Sequence, residues 1–475
     1  MRKHLNKIYS VLLTGIFITG CTKFDKDLNV DPNNPSKASG TQLIANSEFY
    51  LSSVGTSTYG VHYPQYLSLT LFPGSDLYNA TSFSFNTFYT GPLNNLETVI
   101  NSELNANEGP VNYQLAIAKI LKAYFMWFMT DRWGDLPYSE ALKGDKNYTP
   151  KYDKQQDIYN SLFTLLNEAN TLIANSPTTG TVKNDFIYKG DAAKWRRLAN
   201  TIRLLMALRL SKVDQIKGKA EFLAAQANGI MASNSDNLFY PHLAEAAHEN
   251  FWYTSFTRSN RKWYAISKPL MDYMKPLNDP RLPIYADPAS NGGQYVGLAY
   301  GTGVVVEPND YSLLGAAVRK QNSPVYLVTY AQAQFALAEA AHLGWITGGD
   351  VAAETYYKNA ITASISQWVG NTSGVAAYLL QPQVAYSSSN AIEKIATQRW
   401  VHLFLHGYEG WAEWRRTGYP VLAPAPAGSI PSIPRREGYP ANESQINKAS
   451  YNAAIAALPY GGADNLTTRV WWDKP

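Results

Sequence analysis

Six long stretches of this chain repeat apolar residues at helical spacing, and that period limits its fold more than any other feature. Residues 112–130 place Leu115, Ala118, Ile120, Leu121, Phe125 and Phe128 on one broad face. Residues 155–174 repeat the pattern with Ile158, Leu162, Leu165, Leu166, Ala169 and Ile173. Residues 192–210 follow, with Trp195, Leu198, Ile202, Leu205 and Leu208 in phase and Asp191 as N-cap. Residues 326–346 and 351–368 read as a helix pair joined by Thr347-Gly348-Gly349-Asp350, where glycine ends the first helix and Asp350 caps the second. A last long helix is expected over 391–414, and a first one from Ser36 or Ser39 to Tyr50.

Between these helices the chain is irregular. Residues 55–91 are rich in Tyr, Phe, Ser, Thr and Asn, with one short helix expected near 64–71 and then a long aromatic loop. Residues 239–264 and 291–306 also lack a period, and strand-like runs are few and short. The expected fold class is mainly α: a tetratricopeptide-like scaffold of helical hairpins with long irregular loops over one side, although no clean repeat consensus can be traced.

One cysteine, Cys21, occurs in 475 residues, so the scaffold must hold without disulfides. Cys21 follows a positive segment (Arg2, Lys3, Lys7) and an apolar run over 8–20 that is too short to span a bilayer. Ile18-Thr19-Gly20-Cys21 resembles a bacterial lipobox, which implies diacylglycerol on the Cys21 sulfur. The expected organisation is a lipoprotein signal peptide over 1–20, a lipidated N-terminus and tether over 21–39, and a single α-helical domain over 40–475. Anchoring through two or three acyl chains is stable, each buried CH₂ contributing about 0.8 kcal/mol.

The charge balance argues against a polyanionic partner. Formal net charge is +4, and removal of Arg2, Lys3 and Lys7 with the signal leaves about +1. Nucleic-acid binding needs clustered phosphate-neutralising charge, so none is expected. Charged residues make up only 16% while aromatics reach 13%, with 33 Tyr and 12 Trp. That composition suits a surface that recognises ligands with rings and amides.

Catalytic motifs are missing. The chain has no Gly-x-Ser-x-Gly elbow, Walker loop or His-Glu-x-x-His, and no cofactor is expected. His402 and His406 lie four apart, with Glu409 and Glu413 following, a spacing open to a metal. The apolar Leu403-Phe404-Leu405 between them favours structural histidines. Asp131, Asp135 and Glu140 surround Trp133-Gly134 and read as turn and capping chemistry, the alternative being a carboxylate pair for glycoside hydrolysis. Arg415 and Arg416 beside Trp411 and Trp414 read as arginine packed on tryptophan to lock a helix end, the alternative being an anion site.

Five segments in order resemble the SusD/RagB-like outer-membrane lipoproteins. They are residues 29–35 (Asn-Val-Asp-Pro-Asn-Asn-Pro), 130–141 (Thr-Asp-Arg-Trp-Gly-Asp-Leu-Pro-Tyr-Ser-Glu-Ala), the Trp195…Asn200…Leu204 helix, Ala338-Glu339-Ala340, and the C-terminal run from Gln398-Arg399-Trp400 to Tyr419-Pro420. The resemblance implies a surface-exposed lipoprotein that captures nutrient, usually a glycan, and passes it to a SusC-like TonB-dependent transporter. Peptide import and a secreted glycoside hydrolase are the competing readings. No ligand residue carries over by motif, since the family's ligand loops diverge.

Glycan chemistry then guides the choice of residues. Pyranose C–H faces stack on aromatic rings, and neighbouring amides or arginines bond the hydroxyls. Two aromatic loops suit this, 76–89 and 250–264. They give Tyr78, Asn79, Phe83, Phe85 and Tyr89 in the first, and Trp252, Tyr253, Arg258 and Trp263 in the second, as candidate ligand-binding residues.

Overall fold

The computed structural model describes residues 38–176 and 179–475. The signal segment, the tether up to residue 37, and Cys21 lie outside the described residues. The longer helices are α1 (Gly40–Phe49), α2 (Asn94–Asn101), α3 (Val111–Trp133), α4 (Gln155–Ala174), α5 (Ala192–Arg209), α6 (Gln215–Ala227), α7 (Tyr330–His342), α8 (Gly349–Val369), α9 (Ala391–His402), α10 (Gly407–Thr417) and α11 (Lys448–Ala456). Successive helices pair as α3/α4, α5/α6, α7/α8 and α9/α10, and α4 meets α5 while α5 meets α7 and α7 meets α9. This is a stack of helical hairpins, and its irregular segments are long. None of the described helices is long and apolar enough to cross a membrane.

Local chemistry explains the boundaries. Ser39 starts α1 through a capping box: its Oγ accepts from Gln42 N at 3.3 Å and its own N–H donates to Gln42 Oε1 at 3.0 Å. Asp191 caps α5, accepting from Lys194 N at 3.1 Å. Asp135 Oδ1 accepts from Gln155 N at 2.8 Å, so the turn after α3 caps the start of α4. Asn200 in α5 bonds Asn170 of α4 and the carbonyls of Asn228 and Gly229, which clamps three chain segments together.

Four expectations need correction. The helix expected near 64–71 is a strand, β1 (Leu67–Leu69). Residues 325–328 are likewise a strand; the described strands after β1 are β2 (Leu136–Pro137), β3 (Tyr152–Asp153), β4 (Leu238–Tyr240), β5 (Tyr264–Ile266) and β6 (Val325–Val328), paired antiparallel as β1/β5, β2/β3 and β4/β6. Helix α7 starts only at Tyr330, because Thr329 and Gln332 form a capping box there. Asp350 does not cap α8. The left-handed Gly348 stands at that N-cap, and the Asp350 carboxylate accepts from Tyr386 Oη (2.5 Å) and meets His342 Nδ1 (2.8 Å). The long helix over 391–414 breaks into α9 and α10 across Leu403–His406, where Leu405 takes φ +68°. Helix α6, capped by Asp214, had no expectation attached.

One buried ionic network ties the stack together. Arg209 of α5 reaches Asp131 of α3 (3.1 Å) and Glu409 and Glu413 of α10 (2.7 and 2.5 Å). Arg416 of α10 holds Glu339 of α7 with two bonds (2.5 and 2.7 Å) and Glu413 (2.7 Å), while Arg399 of α9 reaches Glu339 (3.2 Å). Each charge is buried but paired, which makes its geometry obligatory. The network joins three of the five segments that carry the family resemblance.

Candidate ligand-binding site

Strand β1 pairs with β5 as Leu67↔Ile266, Ser68↔Ala265 and Leu69↔Tyr264. The ladder continues one step: Thr70 N donates to Trp263 O at 2.9 Å, and Thr70 Oγ1 to Lys262 O at 2.8 Å. Val306 N donates to Thr70 O at 3.0 Å, bringing a third segment alongside. Tyr264 and Ile266 are buried, so the chain leaves the core just as it reaches Trp263, which is half-buried.

Across this end of the ladder stands Phe72. It takes a left-handed backbone (φ +54°) before Pro73-Gly74, and its ring is 70% exposed. A left-handed backbone at a bulky residue is costly, and here it holds the ring out beside Trp263. Phe72 and Trp263 meet edge to face, centroids 5.0 Å apart, and the Arg261 guanidinium lies 4.7 Å from the Trp263 ring. Beside them Lys262 Nζ points to Asn309 Oδ1 at 3.4 Å, and Asn291 Nδ2 donates to Asp310 Oδ1 at 2.7 Å. The result is an open aromatic platform with a guanidinium on it and amides around it. Such a surface stacks flat C–H faces and bonds hydroxyl groups.

The residues singled out from sequence do not converge on one place. Trp263 lies on the platform. Tyr78 is fully buried between Tyr63 and Tyr300, so its ring offers no surface. Asn79 is exposed on the turn with Gly74, its N–H bonding Gly74 O. Phe83 packs edge-on to Tyr59 (5.0 Å) and Phe85 is buried against Trp133. Tyr89 is half-buried and its Oη donates to Pro137 O at 2.5 Å. Trp252 is 2% exposed and packs edge-on to Tyr264, which corrects the expectation that it sits in an open loop. It is the middle residue of a single helical turn (Phe251–Tyr253) capped by Asn250, and that turn aims the indole into the core. Tyr253 is half-buried. Arg258 is exposed, but its guanidinium is committed to Glu249 (2.6 Å), whose carboxyl it holds down at about 2.

Phe72 and Arg261 were not among those residues. The signal for Phe72 was present as an aromatic directly before a Pro-Gly turn, where no neighbouring element can cover it. For Arg261 no local signal distinguishes it from Arg258.

The carboxylates and histidines weighed for chemistry are engaged elsewhere. Asp131 accepts from Tyr159 Oη (2.5 Å) and Trp472 Nε1 (2.8 Å) inside the ionic network. Glu140 accepts from Asn147 Nδ2 and Lys151 N. His402 meets Thr329 Oγ1 (2.7 Å) and Ser364 Oγ (3.0 Å). The Arg415 guanidinium lies 3.5 Å from the Trp411 ring, and Nη2 donates to Asp131 O at 2.7 Å.

Comparison with known proteins agrees with this architecture. A SusD-like family model, described as starch-binding and associating with the outer membrane, matches residues 32–440. The chain belongs to the SusD-like family. Among solved structures, one named a chitin-binding protein is 31% identical, with a TM-score of 0.76 and coverage of 92% of this chain and 98% of its own. A chitin-binding SusD homologue from Flavobacterium johnsoniae is 26% identical (TM-score 0.78, 92% and 98% covered). A SusD homologue from Bacteroides fragilis is 27% identical (TM-score 0.77, 92% and 100% covered). No curated protein sequence matches this chain.

Proposed function

We propose that this chain is a cell-surface lipoprotein that captures oligo- or polysaccharide on the Phe72–Trp263–Arg261 platform and hands it uncleaved to a SusC-like TonB-dependent outer-membrane transporter. The observation that carries this reading is the pair of rings at the open end of the β1/β5 ladder, one of them 70% exposed, with a guanidinium 4.7 Å from the other. An N-acetylated glycan is the first class to try, because two structurally similar proteins are named chitin-binding. The acetamide carbonyl of such a sugar accepts from a guanidinium while the ring stacks on the indole. Lipid on Cys21 holds the protein at the outer membrane.

Calorimetry with chitin oligosaccharides and a panel of neutral glycans tests capture, with reducing ends assayed in the same samples. Binding that weakens in Trp263→Ala, with no new reducing ends, is the expected result. Sustained release of product would replace this reading with a hydrolase. Labelled fatty acid should enter the wild-type protein and not Cys21→Ser, and a pull-down from detergent extract should recover a TonB-dependent barrel.

A further inference from the structure

A separate pocket of about 280 Å³ lies where β6, the C-terminal end of α8 and the α9–α10 connection meet, and it shares no lining residue with the platform. Its walls are aromatic: Trp252, Tyr326, Trp368 and Phe404. Small-molecule sites commonly occupy roughly 300–1,000 Å³, so this one admits a single ring and no polymer.

Most of its polar groups are consumed by the frame. Asn250 bonds Trp252 N and Ser323 O. Gln332 closes the capping box with Thr329, and His402 is held between Thr329 and Ser364. Gln367 differs. The backbone N–H of Tyr330 donates to Asn237 Oδ1 (2.8 Å), which forces Asn237 Nδ2 to be the donor to Gln367 Oε1 (3.0 Å). That chain orients the Gln367 amide and leaves Nε2 over. Nε2 is buried and has no partner among the described residues. Leaving a buried donor unpaired is destabilising, and a ligand acceptor relieves that cost. Lys320, an exposed residue, also lines the pocket, and no carboxylate among the described residues does.

We infer that this pocket binds a small molecule with one six-membered ring that carries a carboxylate or amide carbonyl, its oxygen accepting from Gln367 Nε2 and its ring held between Trp252 and Trp368. This inference does not depend on the glycan reading. Gln367 Nε2 is a donor, so the ligand must bring an acceptor to it; His406 Nδ1, also buried and unpaired on the lining, stays open to a second contact, and the absence of lining carboxylates among the described residues disfavours a cation.

Saturation-transfer NMR and calorimetry on the full chain, with benzoate and N-acetylglucosamine as probes, test it. Benzoate alone binding identifies an acid, N-acetylglucosamine alone an acetamide, and either result supports the pocket. Gln367→Leu should weaken the bound probe at least tenfold, and Gln367→Glu should abolish benzoate binding while keeping the acceptor that Asn237 needs. Phe72→Ala should leave that probe unaffected, and chitin-oligosaccharide binding should survive both Gln367 variants. Failure of both probes, or wild-type affinity in a folded Gln367 variant, overturns the inference; loss of oligosaccharide binding alone speaks only against the platform.

Discussion

The Trp252 indole meets the Tyr264 ring edge to face, with centroids 5.2 Å apart and planes at 85°, one residue after the half-buried Trp263. Two tryptophans in one loop therefore have opposite roles. Trp252→Ala should cost about 3–5 kcal/mol of stability, as for a core tryptophan, matching Trp195→Ala on α5. Trp263→Ala should leave urea stability within about 1 kcal/mol and weaken glycan binding several-fold, since a stacked ring contributes on the order of 1 kcal/mol. Phe72→Ala should behave like Trp263→Ala. Equal melting losses for Trp252 and Trp263 would place both rings in the core.

Arg416 and Glu339 form a two-bond pair inside the helical stack, both side chains almost fully buried. Arg416→Met should cost about 3–5 kcal/mol, because it strands carboxylates without a counter-charge. A double-mutant cycle with Glu339→Gln should depart from additivity by about 1–3 kcal/mol. Additive losses would mean that the two residues act independently.

Gly407 begins α10 against the backbone of Gly60, and a Cβ there would stand 2.2 Å from the Gly60 carbonyl carbon. Alanine ordinarily improves a helix by roughly 0.5–1 kcal/mol over glycine, so the sign of the effect is informative. Gly407→Ala should instead destabilise by about 1–3 kcal/mol, as overpacking does. A gain on chemical denaturation would refute the close approach.

His402 is buried, and burial, with Arg281, His406 and Arg399 adding repulsion, lowers its imidazole to about 3. The unfolded chain protonates this group near 6.5, so below that pH it binds a proton the folded protein refuses. The associated stability is complete above about 6.5 and is lost as pH falls toward 3. At pH 5 the loss is roughly 2 kcal/mol relative to pH 8. His402→Gln should remove that component from a denaturation series, and the wild-type imidazole resonance should not titrate between pH 8 and 5. A midpoint near 6 would contradict its burial.

The helical scaffold was legible because it rests on short-range rules. Apolar residues three and four apart make a buried face wherever the helix packs. Capping needs only Ser39 or Asp191 within one turn of its partner, and the observed α4 begins and ends where periodicity alone places it. The ionic network left no such trace: Glu413 reads as a neighbour of the His402/His406 pair and Arg416 as an arginine packed on tryptophan, whereas Arg416 pairs with Glu339 of α7. The sequence by itself thus determined most of the long helices, the lack of any disulfide framework and the family.

Only the tertiary structure decided the rest. Residues 325–328 are as apolar as the helix that follows, and they become a strand because β4 lies beside them. The break before α10 follows from the approach of Gly60, which is 347 positions away in the chain. Whether an aromatic ring in a loop is core or surface depends on what the chain packs over it, and nothing in local spacing separates Trp252 from Trp263. The pocket beside Gln367 is the extreme case. Its free donor exists because Tyr330 orients Asn237 and Asn237 orients Gln367, a relay across three segments that are adjacent only in the folded chain.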